Sequence, residues 1–185
     1  MAATESNMMP LATIAPDFNL PDVVSGKNKT LNQLKSDKAT VIMFICNHCP
    51  YVKHIQKGLV EMTNDYLAQG VSFIAINSND VETYPEDSPK RMKEVAQHFG
   101  YPFPYLFDEA QEAARAYMAA CTPDFYIFDK DLKCVYRGQM DDSRPGNDIP
   151  VTGTDIRSVL DAILAGEPVN ENQKPSIGCN IKWKK

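Results

Sequence analysis

Ala39-Thr40-Val41-Ile42-Met43-Phe44-Ile45-Cys46-Asn47-His48-Cys49-Pro50 joins a continuous apolar run to two cysteines separated by two residues. An apolar run of this length, bounded by charge before it and a change of pattern after it, suits a strand buried on both faces of a central parallel sheet. Beyond Cys49 the period changes. Val52, Ile55, Leu59, Met62 and Tyr66 recur at three- and four-residue steps and define one apolar helix face. Pro50 is compatible with a helix start because first-turn N–H groups have no intrahelical partner. The Cys-x-x-Cys therefore lies where a buried strand hands over to a helix. There the positive dipole end and free backbone N–H groups favour a thiolate, here expected on Cys46. Two intervening residues bring Cys49 within disulfide reach of it. His48 lies between the two sulfurs in sequence; in its protonated form it stabilises the thiolate and makes the couple more oxidising.

Outward from this stretch, Gly70 stops the helix and Val71 to Ile76 reads as a second buried strand. Ser88-Pro89 opens another helix, with Ser as N-cap and Pro at the first position, and Gly100 ends it. Tyr105–Phe107 reads as a short strand and Glu109–Met118 as a helix. Two strands, 125–128 and 133–137, flank the turn Asp129-Lys130-Asp131, and Thr154–Leu164 is the last helix. Earlier in the chain, Thr30 to Gln33 fits a capping box. Strand–helix crossovers followed by a hairpin predict an α/β fold, a mixed central sheet with helices on both faces. Residues 1–165 form the domain, with a loose arm at 1–10. Residues 166–185 form a tail without a regular pattern, packed on the domain.

The chain has 185 residues and a formal charge of −5, with 43% hydrophobic and 23% charged residues. That length buries a real core without covalent staples. The negative balance argues against nucleic acid or an anionic membrane as partner. No signal peptide and no membrane-length apolar run is found, so the expected compartment is the cytoplasm. Five cysteines, at 46, 49, 121, 134 and 179, then read as thiols rather than a disulfide framework. A Cys-x-x-Cys in a reducing compartment is either redox-active or half of a zinc site, and its strand-to-helix location favours redox chemistry. His54 and His98 have no spacing that demands a metal, and no cofactor is called for.

At this point the sequence resembles the redoxin branch of the thioredoxin superfamily, which includes peroxiredoxin-like and AhpC/TSA-type thiol–disulfide exchange proteins. The residues carrying the resemblance are Ala15-Pro16-Asp17-Phe18, the strand Val41–Ile45 leading into Cys46-Asn47-His48-Cys49-Pro50, Phe103-Pro104-Tyr105-Leu106-Phe107-Asp108, and Thr122-Pro123-Asp124-Phe125-Tyr126-Ile127-Phe128-Asp129. It spans roughly Leu11 to Leu164. It implies a thioredoxin-like fold and a thiol–disulfide oxidoreductase. Cys46 would be the exposed attacking thiol, Cys49 the resolving one and His48 their modulator. Pro123 would be a cis-proline facing the dithiol, and Thr122 would offer backbone groups to a substrate strand. Partners would be protein or small-molecule disulfides and an upstream thiol reductant.

The chain departs from thioredoxins proper in having Ile45 before the first cysteine and Asn47-His48 between the pair. Oxidising members and disulfide isomerases resemble it in carrying His before the second cysteine. Peroxiredoxins carry Thr three residues before their peroxide-reactive Cys. Alignment there puts Cys46 in the Thr position and Cys49 in the reactive one, so a peroxidase with Cys49 reactive and Cys46 or Cys179 resolving is the second reading. A soft-metal site of Cys46, Cys49 and a third thiol, Cys121 or Cys179, is the third. Cys121, next to Thr122, either packs as a small hydrophobe or serves the dithiol. Cys134 reads as structural. Cys179 either resolves a sulfenic acid or mixed disulfide, or lies in a tail anchored by Trp183.

Overall fold

The structure, a computed structural model, describes residues 3–185. In chain order its elements are β1 (Ala3–Glu5), β2 (Asn19–Pro21), β3 (Asn28–Thr30), α1 (Leu31–Leu34), β4 (Ala39–Phe44), α2 (Pro50–Leu67) and β5 (Ser72–Asn77). There follow α3 (Pro89–Phe99), β6 (Tyr105–Phe107), α4 (Glu112–Ala116), β7 (Cys121–Thr122), β8 (Asp124–Asp129), β9 (Cys134–Gly138), α5 (Thr154–Ala165) and β10 (Ile177–Asn180). The main sheet has the order β6-β5-β4-β8-β9. β4 runs parallel to β5 and antiparallel to β8, so the mixed sheet is centred on the strand that leads into the cysteines.

The two-residue alternation of β4 divides the core. Val41 and Met43 face α2, α3 and α5, whose Leu59, Met92 and Leu160 are fully buried. Ile42 and Phe44 face the other way, onto Phe18, Leu31, Ala114 and Tyr117. Every residue of β4 is buried, which is why it reads as an unbroken apolar run. The capping box forms at the head of α1: Gln33 N donates to Thr30 Oγ1 at 3.3 Å, and Thr30 N to Gln33 Oε1 at 3.0 Å. α4 is shorter than the Glu109–Met118 expected. Gln111 and Met118, at its two ends, have φ of +61° and +56°, conformations that cannot continue a helix.

Both chain ends depart from expectation. The segment at 1–10, expected to be a loose arm, carries β1. The tail, expected to lack regular structure, carries β10. They form a second sheet, β1-β10-β7, pairing Ala3 with Cys179 and Cys179 with Thr122. Backbone hydrogen bonding drives this more than apolar patterning does. Ser6 N donates to Ser176 O at 2.9 Å, Ile181 N to Ala120 O at 3.0 Å and Asp80 N to Lys182 O at 2.8 Å. Gly178 permits the close approach, because a Cβ there would stand 2.0 Å from the Thr122 carbonyl oxygen.

Candidate active site

β4 ends at Phe44 and α2 begins at Pro50, so Cys49, not Cys46, is the N-cap residue. Pro50 at the first helical position fixes this, since its ring favours the extended conformation in the residue before it. Thr122, joined to Pro123 by a cis peptide bond, touches both sulfurs. Its Oγ1 lies 3.2 Å from Cys46 Sγ, and its carbonyl accepts from Cys49 Sγ at 3.2 Å. The third neighbour is Cys179, whose thiol and backbone N–H both face the Cys49 sulfur.

The two thiols are not equivalent, and their order differs from expectation. Both are buried, Cys46 at 1% and Cys49 at 0% exposure, so Cys46 is not the exposed thiol expected and exposure does not separate the pair. Burial pushes its thiol well above the ordinary range, with the Cys49 sulfur and the Asp87 carboxylate adding to the effect. Cys49 is brought down to about 5, chiefly by the Cys46 thiol donating to it. Burial opposes that shift, while the Cys179 thiol and the N–H groups of Val52 and Cys179 assist it. The Thr122 carbonyl, an acceptor, favours the protonated form of Cys49; one acceptor is outweighed by this set of donors. The helix-end stabilisation expected for Cys46 thus belongs to Cys49.

His48 is held by Asp87, a residue that carries no functional expectation from sequence. His48 Nδ1 and Asp87 Oδ2 are 2.6 Å apart, and the imidazole stacks on Tyr84 at 5.0 Å between ring centroids. Asp87 also accepts from Asn47 N at 2.7 Å and Asn79 Nδ2 at 2.8 Å. Burial would raise its pKa, but these three partners together hold it below the ordinary carboxylate range. The available signal was position: Asp87 ends a short Pro85–Asp87 turn of 3-10 helix just before the Ser88-Pro89 helix start. His48 therefore meets a carboxylate as well as the Cys46 thiol, and Asp87 acts on Cys46 against thiolate formation. One ligand atom each from Cys46, His48 and Asp87 lie within 4.8 Å of one another. A divalent ion there would take one thiolate, one imidazole and one carboxylate rather than the three thiols expected.

The other candidates separate cleanly. Cys121 is fully buried with Sγ 3.7 Å from Pro123 O, and burial drives its thiol far upward, as for a packing residue. Cys134 lies in β9 and is pushed up to about 11 by burial. Asn79, in the loop after β5, accepts from Lys182 N at 2.8 Å and so anchors the tail. Trp183 is half-exposed under the Arg115 guanidinium at 4.5 Å; Ile181 is the buried anchor.

The fold is thioredoxin-like, and the sequence places the chain in the redoxin branch of that superfamily. The chain belongs to the AhpC/TSA family, whose family model matches residues 11–137. It is similar to an uncharacterized conserved protein from Geobacillus kaustophilus, with 68% identity, a TM-score of 0.98, and coverage of 100% of this chain and 97% of that one. A hypothetical protein from Sinorhizobium meliloti 1021 is 48% identical at a TM-score of 0.95, over 98% of each chain. Among named relatives, the thiol-disulfide oxidoreductase ResA of Geobacillus thermodenitrificans is 26% identical over 131 residues, 70% of each protein.

Proposed function

We propose that the chain exchanges thiols with organic disulfides through the Cys46-Asn47-His48-Cys49 pair. The observation that carries this is the meeting of both sulfurs at Thr122, beside cis-Pro123, with one sulfur favoured as thiolate near neutrality. Cys49 attacks a disulfide R–S–S–R′, forming Cys49–S–S–R and releasing R′S⁻. Cys46 then attacks the Cys49 sulfur, closing the Cys46–Cys49 disulfide and releasing RS⁻; its proton passes to the leaving thiolate. An upstream thiol reductant restores the dithiol. Substrates are protein or small-molecule disulfides, and the compartment is the cytoplasm. No helix among the described residues is long and apolar enough to cross a membrane.

The test is turnover of glutathione disulfide with dithiothreitol as reductant. Cys49→Ser removes the attacking sulfur and is expected to lower the rate by at least about a hundredfold, within the range for nucleophile removal. Wild-type rates in Cys49→Ser overturn the reading. A second reading, peroxide reduction at Cys49, is favoured by one specific feature: the thiolate sits on the N-cap cysteine rather than on Cys46. Consumption of hydrogen peroxide faster than of disulfide, with the oxidised sulfur mapped to Cys49, would establish it instead.

A further inference from the structure

The tail strand places a third thiol against the same sulfur. β10 lies antiparallel to β7 with Cys179 directly opposite Thr122, the residue that touches both members of the dithiol. Directly opposed residues on antiparallel strands stand about 4.5–5.5 Å apart at Cα, so the register alone brings Cys179 to the dithiol. Cys46, Cys49 and Cys179 are all buried in the same core layer, and Thr122 adjoins all three.

The placement is fixed on both sides of β10. Before it, Ser176 N donates to Ser6 Oγ at 2.8 Å, and Ser176 Oγ donates to Pro123 O at 2.5 Å. After it, Gln111 Nε2 donates to Lys182 O at 2.8 Å, and Lys184 N donates to Gln111 Oε1 at 2.9 Å.

We infer that Cys179 is a third redox thiol and that Cys49 is the shared partner of two alternative disulfides, Cys46–Cys49 and Cys49–Cys179. This rests on the thiol–disulfide reading above and extends it. In the exchange, the Cys179 sulfur attacks Cys49 Sγ of the Cys46–Cys49 disulfide. The Cys49–Cys179 bond forms, the Cys46–Cys49 bond breaks, and Cys46 leaves with the electron pair and takes the proton that Cys179 gives up. The three-cysteine set stays two electrons oxidised relative to three thiols throughout, so no external oxidant enters this step. While Cys49 is a thiolate, burial first, then the hydrogen bond to Cys49 and its charge, push the Cys179 thiol up to about 12. Once Cys49 is in a disulfide the hydrogen bond and the charge are gone and only the effect of burial stays, so the Cys179 thiol ionises more readily than beside the thiolate. The product ties the tail strand covalently to α2 and frees Cys46.

The experiment treats the full chain with glutathione disulfide, quenches with acid, alkylates and maps the peptides. Cys46→Ser is expected to give the Cys49–Cys179 disulfide as its main oxidised form. Cys46→Ser/Cys179→Ser is expected to stop at a glutathione adduct on Cys49. If Cys46→Ser keeps that adduct to the same extent as the double variant, the inference is overturned. Cys46→Ala in place of Cys46→Ser repeats the test should the hydroxyl disturb folding. The two readings fail separately. A wild-type chain without disulfide turnover defeats the proposed function whatever the maps show. A normal turnover with a persistent adduct in Cys46→Ser defeats only the role of Cys179.

Discussion

Pro123 divides two antiparallel pairings made by adjacent stretches of chain. After it, β8 pairs with β4 over six residues, from Asp124 opposite Phe44 to Asp129 opposite Ala39. Before it, β7 pairs with β10 over two residues. The first pairing is made inside the core, where Phe125, Ile127 and Phe128 are fully buried, and burial of that apolar surface drives it. The second rests on backbone hydrogen bonds, two serine hydroxyls and a glycine that lets two backbones touch. One pairing holds the fold and the other covers the thiols, so each is open to change without the other.

Ile127→Ala should show the largest effect on the core side. Removing a fully buried isoleucine from β8 costs about 2–5 kcal/mol of stability. Chemical denaturation should report this, while thiol labelling measured well below the unfolding transition stays near the wild-type rate. A labelling rate that rises in step with lost stability would show that the two pairings are one cooperative unit.

Asp124 sits at the junction and tests it by pH. Its carboxyl is pushed up to about 7 by burial, against donation from Tyr126 Oη at 2.9 Å and other partners. An acid whose folded pKa lies above its unfolded value destabilises the fold once it ionises. Stability is therefore unaffected below about pH 4 and declines as pH rises towards and through 7. At roughly 1.4 kcal/mol per unit, the total is on the order of a few kcal/mol. Asp124→Asn should remove this decline, so its melting temperature relative to wild type should climb between pH 5 and pH 8. A constant difference across that range would contradict the assignment.

Gly178→Ala addresses the other pairing. The added Cβ meets the Thr122 carbonyl oxygen and Pro123 N, both backbone atoms, so β10 must lift. A cost of about 1.4 kcal/mol is a tenfold change in an opening equilibrium, and overpacking typically costs that much or more. Labelling of the dithiol by a bulky thiol reagent should accelerate about tenfold or more, with a small change in global stability. An unchanged labelling rate would mean that β10 does not control access.

The same division explains what the sequence disclosed. β4, α2 and the β8–β9 hairpin were legible because their apolar residues recur with the period of the element they form. The dithiol was legible because two cysteines sit at the seam between two such periods. β10 was not: Ile177-Gly178-Cys179-Asn180 is too short to show alternation, and its partners lie 55 or more residues away. The assignment of charge within the dithiol was also out of reach. It depends first on the burial of Cys46 and the hydrogen bond between the two thiols, then on donors from Cys179 and the Asp87 carboxylate, all set by the tertiary fold. Sequence spacing measures distance along the chain, and these contacts are set across it.

The placement of Cys179 has a consequence for the order in which the chain is made. Cys49 and Cys179 are 130 positions apart (179 − 49), and β1, far upstream of both, finds its pairing partner only in β10. In synthesis from the N-terminus, β4, β5, α2, β8 and both thiols of the pair emerge before the strand that closes over them. Until then Thr122 has no backbone partner and the Cys49 sulfur lacks its Cys179 donors. A nascent chain at that stage carries both thiols of the pair without the strand that covers them in the finished protein.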